Sequence, residues 1–318
     1  MTTRNSVTAI EGITVGHATD LEAGTGCTVI LCPEGTVGGV DQRGGAPGTR
    51  ETDLLRPLHV VEHVDAIVLA GGSAYGLAAA DGVMHYLRER ERGYRTRSGV
   101  RVPIVPAAIL YDLEVGRADR FPDAAMGYRA AESASDDDVT QGSIGVGTGC
   151  RIAALFGNAR ATKGGIGSAA VYLPGGLIVA ALIAVNTVGE VLAEDGTILA
   201  GLRVETGVGY TPILEALKLT PPPTSSNTVI GVIATNAKLS KEHTNIVAQM
   251  AHDGLARAVR PSHTLYDGDT LFALSTGQVL ADTTLVGAFA AEMTARAIRD
   301  AVLSATSLGG VIALRQAL

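Results

Sequence analysis

The sequence predicts an α/β protein built from antiparallel strand pairs with covering helices, not a doubly wound parallel sheet. Three observations predict this. Short apolar runs rich in β-branched residues, such as residues 66–70 and 228–234, alternate with longer stretches of helical periodicity. Two apolar runs, 169–173 and 177–186, are joined only by Pro174-Gly175-Gly176, which is hairpin grammar and leaves no room for a crossover helix. Finally, 318 residues with 46% hydrophobic and 18% charged side chains can bury a large core under limited charged surface. That length admits one large domain or two smaller ones. Glycine, at 40 residues, is well above its usual share of about 7%, so tight turns and close backbone approach shape much of the fold.

In chain order, residues 10–17 and 27–32 read as the first two strands. Residues 35–53, where glycines interleave with Asp41, Arg43, Arg50, Glu51 and Asp53, read as a folded loop holding polar groups close to backbone. Residues 66–70 form a short buried strand. Gly71-Gly72-Ser73-Ala74-Tyr75-Gly76 then turns into a helix over about 77–90, apolar at Leu77, Val83 and Leu87. Backbone N–H groups at such a helix start are able to face an anion or an oxyanion. A strand over 102–109 follows, then a helix opened by Pro122 and Asp123 and running to about 133. Residues 135–141, with three consecutive aspartates, form a solvated loop. Gly145, Gly147 and Gly149 make a GxGxG that is weak as a dinucleotide fingerprint, since no clear helix follows and no acidic residue stands about 20 positions on.

Residues 191–217 carry further short segments, and residues 220–227, with Pro221-Pro222-Pro223, are the most linker-like stretch of the chain. Beyond the strand that opens at Thr228, Ser240 is placed to cap a helix running to about 260, with Val247, Ala251 and Leu255 on one face and Pro261 ending it. Residues 271–275 read as a strand, and an Ala-rich helix over about 285–305 closes the chain.

Composition excludes several classes. The net charge is −7, and no basic run exceeds the scattered arginines between 88 and 101, so phosphate neutralisation along a nucleic acid is not expected. Cys27, Cys32 and Cys150 are odd in number and lack framework spacing, which predicts reduced, buried thiols in a cytoplasmic protein. No secretory signal is read in residues 1–10, and the longest apolar run, 177–185, is too short to span a bilayer, so no membrane partner is expected. No Gly-x-Ser-x-Gly elbow, His-Glu-x-x-His pair or Walker loop is present. His243, His252 and His263 read as structural or surface residues. Asp267-x-Asp269 lacks further oxygen ligands nearby, so no metal is assigned.

The stretch Thr224-Ser225-Ser226-Asn227-Thr228 places a hydroxyl at the first position of a core strand, behind the linker. Polar entries of this kind are also ordinary turn chemistry. A threonine hydroxyl is a weak nucleophile unless a base stands beside it. An N-terminal residue carries its own base, an α-amine with a pKa of about 7.7–8.0. Breaking the Asn227–Thr228 bond would expose that amine, and the same hydroxyl is placed to break it by attacking the Asn227 carbonyl.

The chain resembles the family of self-processing aminopeptidases and amidases that includes the L-aminopeptidase/D-esterase–amidase, the β-peptidyl aminopeptidases and the nylon-oligomer hydrolase. The resemblance rests on residues 40–53, Gly71-Gly72-Ser73-Ala74-Tyr75-Gly76-Leu77, Lys163-Gly164-Gly165-Ile166-Gly167, Asn227-Thr228 with its strand, and Asp267-Gly268-Asp269-Thr270-Leu271-Phe272-Ala273. It implies a four-layer α-β-β-α sandwich and a single domain, residues 1–318, autocleaved into 1–227 and 228–318. It also implies no cofactor, a small amide or peptide substrate, and a homo-oligomer of tetramer type. By the same resemblance Thr228 is the nucleophile, Asn227 precedes the cut, Asn186 helps to stabilise the oxyanion, and Tyr111 lies near the nucleophile. Asp267 and Asp269 match the acidic pair of the 6-aminohexanoate oligomer hydrolase branch, which places the chain nearest that branch, and Lys163 matches a supporting lysine by its motif. Two other readings stay open at this level: an N-terminal-threonine acyltransferase of the ornithine acetyltransferase type, and a non-enzymatic or nucleotide-binding relative.

Overall fold

The structure, a computed structural model, describes residues 4–219 and 227–314; the linker-like stretch 220–226 lies outside them. In chain order the strands of the two main sheets are β1 (Thr14–Asp20), β2 (Thr25–Leu31), β3 (Val37–Gln42), β4 (Thr49–Arg50), β5 (Ala66–Ala70), β6 (Ala107–Ile109), β7 (Gly165–Tyr172), β8 (Ile178–Asn186), β9 (Thr228–Ala237) and β10 (Thr270–Val279). The covering helices are α1 (Ala79–Glu89), α2 (Ala124–Glu132), α3 (Lys241–Ala258) and α4 (Thr283–Leu303). One five-stranded sheet runs β1-β2-β5-β6-β4 and the other β7-β8-β9-β10-β3.

Alternation along the strands turns this order into layers. In β8, Ala180, Leu182 and Ala184 join Ile30, Ile67 and Leu69 of the first sheet in one apolar cluster, so the two sheets face each other. The intervening Val179, Ala181, Ile183 and Val185 pack instead with Val247, Ala251, Leu255, Ile298 and Val302 of α3 and α4. On the far side, Val29, Val68 and Ala107 pack with Val83, Leu87 and Ala130 of α1 and α2. The result is the expected α-β-β-α sandwich. Strands buried on both faces read as continuous apolar runs, which is why residues 228–234 lack polar alternation.

Three expectations need correction. The first two strands start and end elsewhere, because residues 7–9 form a short 3-10 turn and β1 begins only at Thr14. Residues 37–42, expected to be loop, form the edge strand β3. Its Gly39 reads as a turn signal, yet a Cβ there would lie 2.7 Å from backbone atoms of Thr244 and Asn245, so glycine is what lets α3 lie against the strand. The strand expected over 102–109 shrinks to β6, with Pro103 and Pro106 ahead of it, while residues 101–102 belong to a small separate hairpin. The remaining helices start within a few residues of their signals. Asp123 Oδ1 accepts from Met126 N–H at 2.8 Å, and Ser240 Oγ accepts from His243 N–H at 3.3 Å, as N-caps do.

Register brings the predicted residues to one end. β8 and β9 are antiparallel with Asn186 opposite Thr228, and β10 runs parallel to β9, so the approach 267–269 enters at that same end. In the other sheet β5 and β6 are parallel, and residues 110–112 leave them at the end where Tyr111 meets Asn186. Among the described residues no helix is long and apolar enough to cross a membrane. All three cysteines are free and buried.

Candidate active site

Thr228 opens β9 with its side chain on the same face as Ile230 and Val232, toward the space between the sheets. Its partner in register, Asn186, closes β8 and points to the same face. Both are buried. The Thr228 hydroxyl donates to the carbonyl oxygen of Asn227, the residue just before it. That carbonyl also accepts from Gly268 N–H at 3.1 Å, and Asn227 N–H donates to the Tyr266 carbonyl at 2.8 Å. Asn227 is therefore clamped by the 266–268 turn through both its N–H and its carbonyl, with a hydroxyl touching that carbonyl.

The Asn186 side chain is oriented by two main-chain groups. Its Oδ1 accepts from Arg151 N–H at 2.9 Å, and its Nδ2 donates to the Tyr111 carbonyl at 2.9 Å. An amide nitrogen carries two hydrogens, and the Tyr111 carbonyl takes one. Tyr111 thus reaches the site through its backbone, while its hydroxyl lies 3.5 Å from Glu114 and is pushed up in pKa by burial and then by the Glu114 charge.

Asp267 and Asp269 are both buried. Asp269 Oδ1 accepts from Val229 N–H at 2.8 Å, and its Oδ2 accepts from His263 N–H at 3.1 Å and lies 2.8 Å from His263 Nδ1. Asp267 Oδ1 accepts from Val188 N–H at 3.4 Å; its Oδ2 accepts from Thr264 N–H at 3.2 Å and from the Thr264 hydroxyl. Burial, and then the neighbouring Asp269 charge, push the Asp267 carboxyl up to about 6. Their oxygens are spent on N–H and O–H donors and do not converge as cation ligands do.

Lys163 is fully buried, and its ammonium donates to the carbonyls of Gly147 (3.1 Å), Cys150 (3.0 Å) and Gly164 (2.9 Å). Those contacts occupy its three hydrogens. It fastens the Gly145–Gly149 turn, the GxGxG of the sequence, to Gly164 at the entry to β7, and burial pulls it down to about 8. The structure therefore brings Thr228, Asn227, Asn186, Asp267, Asp269 and the Tyr111 backbone together, and holds Lys163 among main-chain carbonyls.

Sequence reading missed Gly268, Arg151 and His263. The first two act here through backbone N–H groups, which no side-chain motif reports. His263 had one signal, its place in the same short turn as the two aspartates. A cleft of about 600 Å³ lined by Glu62, His63, Asp65, Arg92 and Arg101 touches none of these residues. It lies where β5 begins, the end of the first sheet opposite to Tyr111.

Comparison with known proteins places the chain. The profile of peptidase family S58 matches residues 5–314. An uncharacterized aminopeptidase of Mycobacterium tuberculosis is 46% identical over 96% of this chain and 96% of its own. A 6-aminohexanoate-oligomer endohydrolase of Agromyces sp. is 34% identical over 92% of this chain and 84% of its own. Among solved structures, the L-aminopeptidase D-Ala-esterase/amidase of Ochrobactrum anthropi, described as a variant of the Ntn hydrolase fold, superposes with a TM-score of 0.74 at 21% identity, covering 96% of this chain and 88% of that one.

Proposed function

This chain belongs to peptidase family S58 and is a hydrolase of amide bonds, and we propose that it cuts itself between Asn227 and Thr228 and then uses the new N-terminal threonine as its nucleophile. The observation that carries the reading is the buried contact of the Thr228 hydroxyl with the Asn227 carbonyl, on which Gly268 N–H also rests.

In maturation, Thr228 Oγ1 adds to the Asn227 carbonyl carbon, and negative charge grows on the oxygen that Gly268 N–H already contacts. The C–N bond breaks, the nitrogen takes the hydroxyl proton, and an ester joins Asn227 to Oγ1. Water hydrolyses the ester, leaving a carboxylate on Asn227 and a free α-amine and hydroxyl on Thr228. In turnover that amine takes the Oγ1 proton as Oγ1 attacks a substrate amide. The leaving amine receives the proton, and water releases the acyl group. The second hydrogen of Asn186 Nδ2 supports the oxyanion during turnover.

The acidic pair favours substrates that carry a free amine: small peptides entering by their N-terminus, or ω-amino amides like the oligomers named for the Agromyces relative. Fragments 1–227 and 228–318 should stay one folded unit, because β9 and β10 of the small piece lie between β8 and β3 of the large one.

Intact mass under denaturing conditions tests the reading. Wild-type protein should separate into 1–227 and 228–318, and Thr228→Ala should remain one chain with amidase activity down by about 10⁴-fold or more. Wild-type protein that stays whole at this bond after long incubation overturns it.

A further inference from the structure

Behind the acidic pair lies a contact that takes no part in the bond-making steps. His263 approaches a single oxygen of Asp269 twice, with its main-chain N–H at 3.1 Å and its ring Nδ1 at 2.8 Å. To do so it sits at φ +56°, in the left-handed region, which costs a non-glycine residue roughly 1–2 kcal/mol. Its ring meets that of His252 edge to face, with centroids 4.9 Å apart. His252 is fully buried and turns Nε2 toward the Asp41 carbonyl at 3.1 Å. A carbonyl only accepts, so the hydrogen of His252 is on Nε2. Burial keeps this imidazole neutral down to about pH 4. The histidine pair is thus a packed wall from the end of β3 to Asp269.

We propose that His263 is a positioning residue for the chemistry at Thr228: braced by His252, it holds Asp269 Oδ2 so that Oδ1 stays fixed on Val229 N–H, the main-chain donor next to Thr228. The inference rests on Thr228 being the nucleophile. A carboxylate is a broad two-fold rotor about its last torsion. With only Val229 N–H holding it, Asp269 would swing, Oδ1 would let go of that N–H, and the start of the strand that carries Thr228 would lose an anchor. The two His263 donors hold the other oxygen and stop the rotation. The Nδ1 hydrogen points at Asp269, because Oδ2 accepts there. The strained backbone of His263 is accounted for in the same way, since φ +56° is what lets one residue present both donors to one oxygen.

Two substitutions separate this role from a merely structural one. His263→Asn puts an amide nitrogen at the same bond distance from Cα as Nδ1, and asparagine tolerates positive φ. His263→Gly keeps the main-chain N–H and takes φ +56° without strain, but has no side-chain donor. If His263 only shaped the turn, glycine would serve at least as well as asparagine. On a free-amine aminoacyl p-nitroanilide, the glycine variant should lose roughly 10- to 100-fold in kcat with KM changed by less than about 3-fold, and asparagine should recover most of that loss. Self-cleavage, followed by denaturing mass spectrometry, should slow in the same order. Wild-type kcat in the glycine variant, or an asparagine variant as poor as glycine, overturns the proposal. The wild-type control separates the two ideas: if it stays uncut, the nucleophile reading fails, whereas cut wild type with an undiminished glycine variant defeats only the role of His263.

Discussion

Asp112 and Asp267 make a natural pair, one at the end of each stacked sheet, both buried and both pushed up to about 6 by that burial. Their surroundings differ. Asp112 lies in a cage of close backbone: a Cβ on Gly71 would be 2.0 Å from its Oδ2, and one on Gly149 would be 2.4 Å from its Cβ. Its carboxylate accepts from Gly72 N–H and the Thr25 hydroxyl, each at 2.7 Å. It thereby occupies the place where backbone N–H groups of the strand–turn–helix pattern at residue 71 are able to face an anion. Asp267 instead lies beside the Asn227–Thr228 peptide, which its own turn clamps. A raised carboxyl pKa reports burial at both places. Only the neighbouring hydroxyl and peptide bond make one of them a candidate for chemistry.

The strongest way to break this comparison is to cut the link between its halves. Asn186 is that link, with Nδ2 on the carbonyl of Tyr111, the residue before Asp112, and its Cα opposite Thr228. Asn186→Ala should lower kcat by about 10²–10³-fold, the usual loss for one oxyanion donor. It should also cost about 1–3 kcal/mol of stability, because Arg151 N–H and the Tyr111 carbonyl lose a buried partner. Steady-state kinetics and urea denaturation read the two losses separately, and a normal kcat in a folded variant would remove Asn186 from the oxyanion role.

The same substitution at the two aspartates should then give different outcomes. Asp267 has an N–H donor on each oxygen, from Val188 and from Thr264. In Asp267→Asn the amide nitrogen must face one of them, whichever way the amide turns. The negative charge that attracts a substrate ammonium is also lost. kcat/KM for a free-amine p-nitroanilide at pH 8 should fall by about 10- to 100-fold, the size of one charge-assisted hydrogen bond. In wild type the effect should grow with pH, since Asp267 is neutral below about 6 and charged above it. KM should therefore drop between pH 5 and 7 in wild type and stay flat in the variant; parallel pH profiles would deny Asp267 this role.

Much of this candidate site is legible in the sequence, for a physical reason. Thr228, Asn186 and the 267–269 turn all stand where a buried apolar run begins or ends, and such boundaries are visible in a sequence. What pairs with what is not visible. That Asn186 falls opposite Thr228 depends on the register of β8 and β9, and that Tyr111 contributes a carbonyl depends on how the second sheet stacks. β3 was hidden because Gly38 and Gly39 look like a turn, whereas glycine there makes room for Leu55, Val64 and α3. His263 was hidden because its partner is a carboxylate six residues on, reached only through a left-handed backbone.

The smallest predicted effect concerns Asp112 and reads the other half of the comparison. Its partners are one N–H and one hydroxyl, and a hydroxyl can reverse. In Asp112→Asn, Oδ1 keeps Gly72 N–H while Nδ2 donates to Thr25 Oγ1. The substitution therefore fits, and it removes a titration. The wild-type carboxyl binds its proton up to about pH 6 when folded, against about 3.9 when unfolded. Between those values the folded state holds more protons, so this group's contribution to stability is full below pH 4 and is lost as pH rises to 6, by about 3 kcal/mol at most. His17 and His252, both held down to about 4 by burial, act in the opposite direction, losing stability as pH falls below 6.5. The wild-type profile alone thus sums opposing contributions, and the difference between variant and wild type is the quantity to measure. Asp112→Asn should match wild type in thermal midpoint at pH 4 and exceed it at pH 7.5, with kcat unchanged. An equal shift at both pH values would mean that the Asp112 carboxyl is ionised throughout, and that burial does not act alike on the two aspartates.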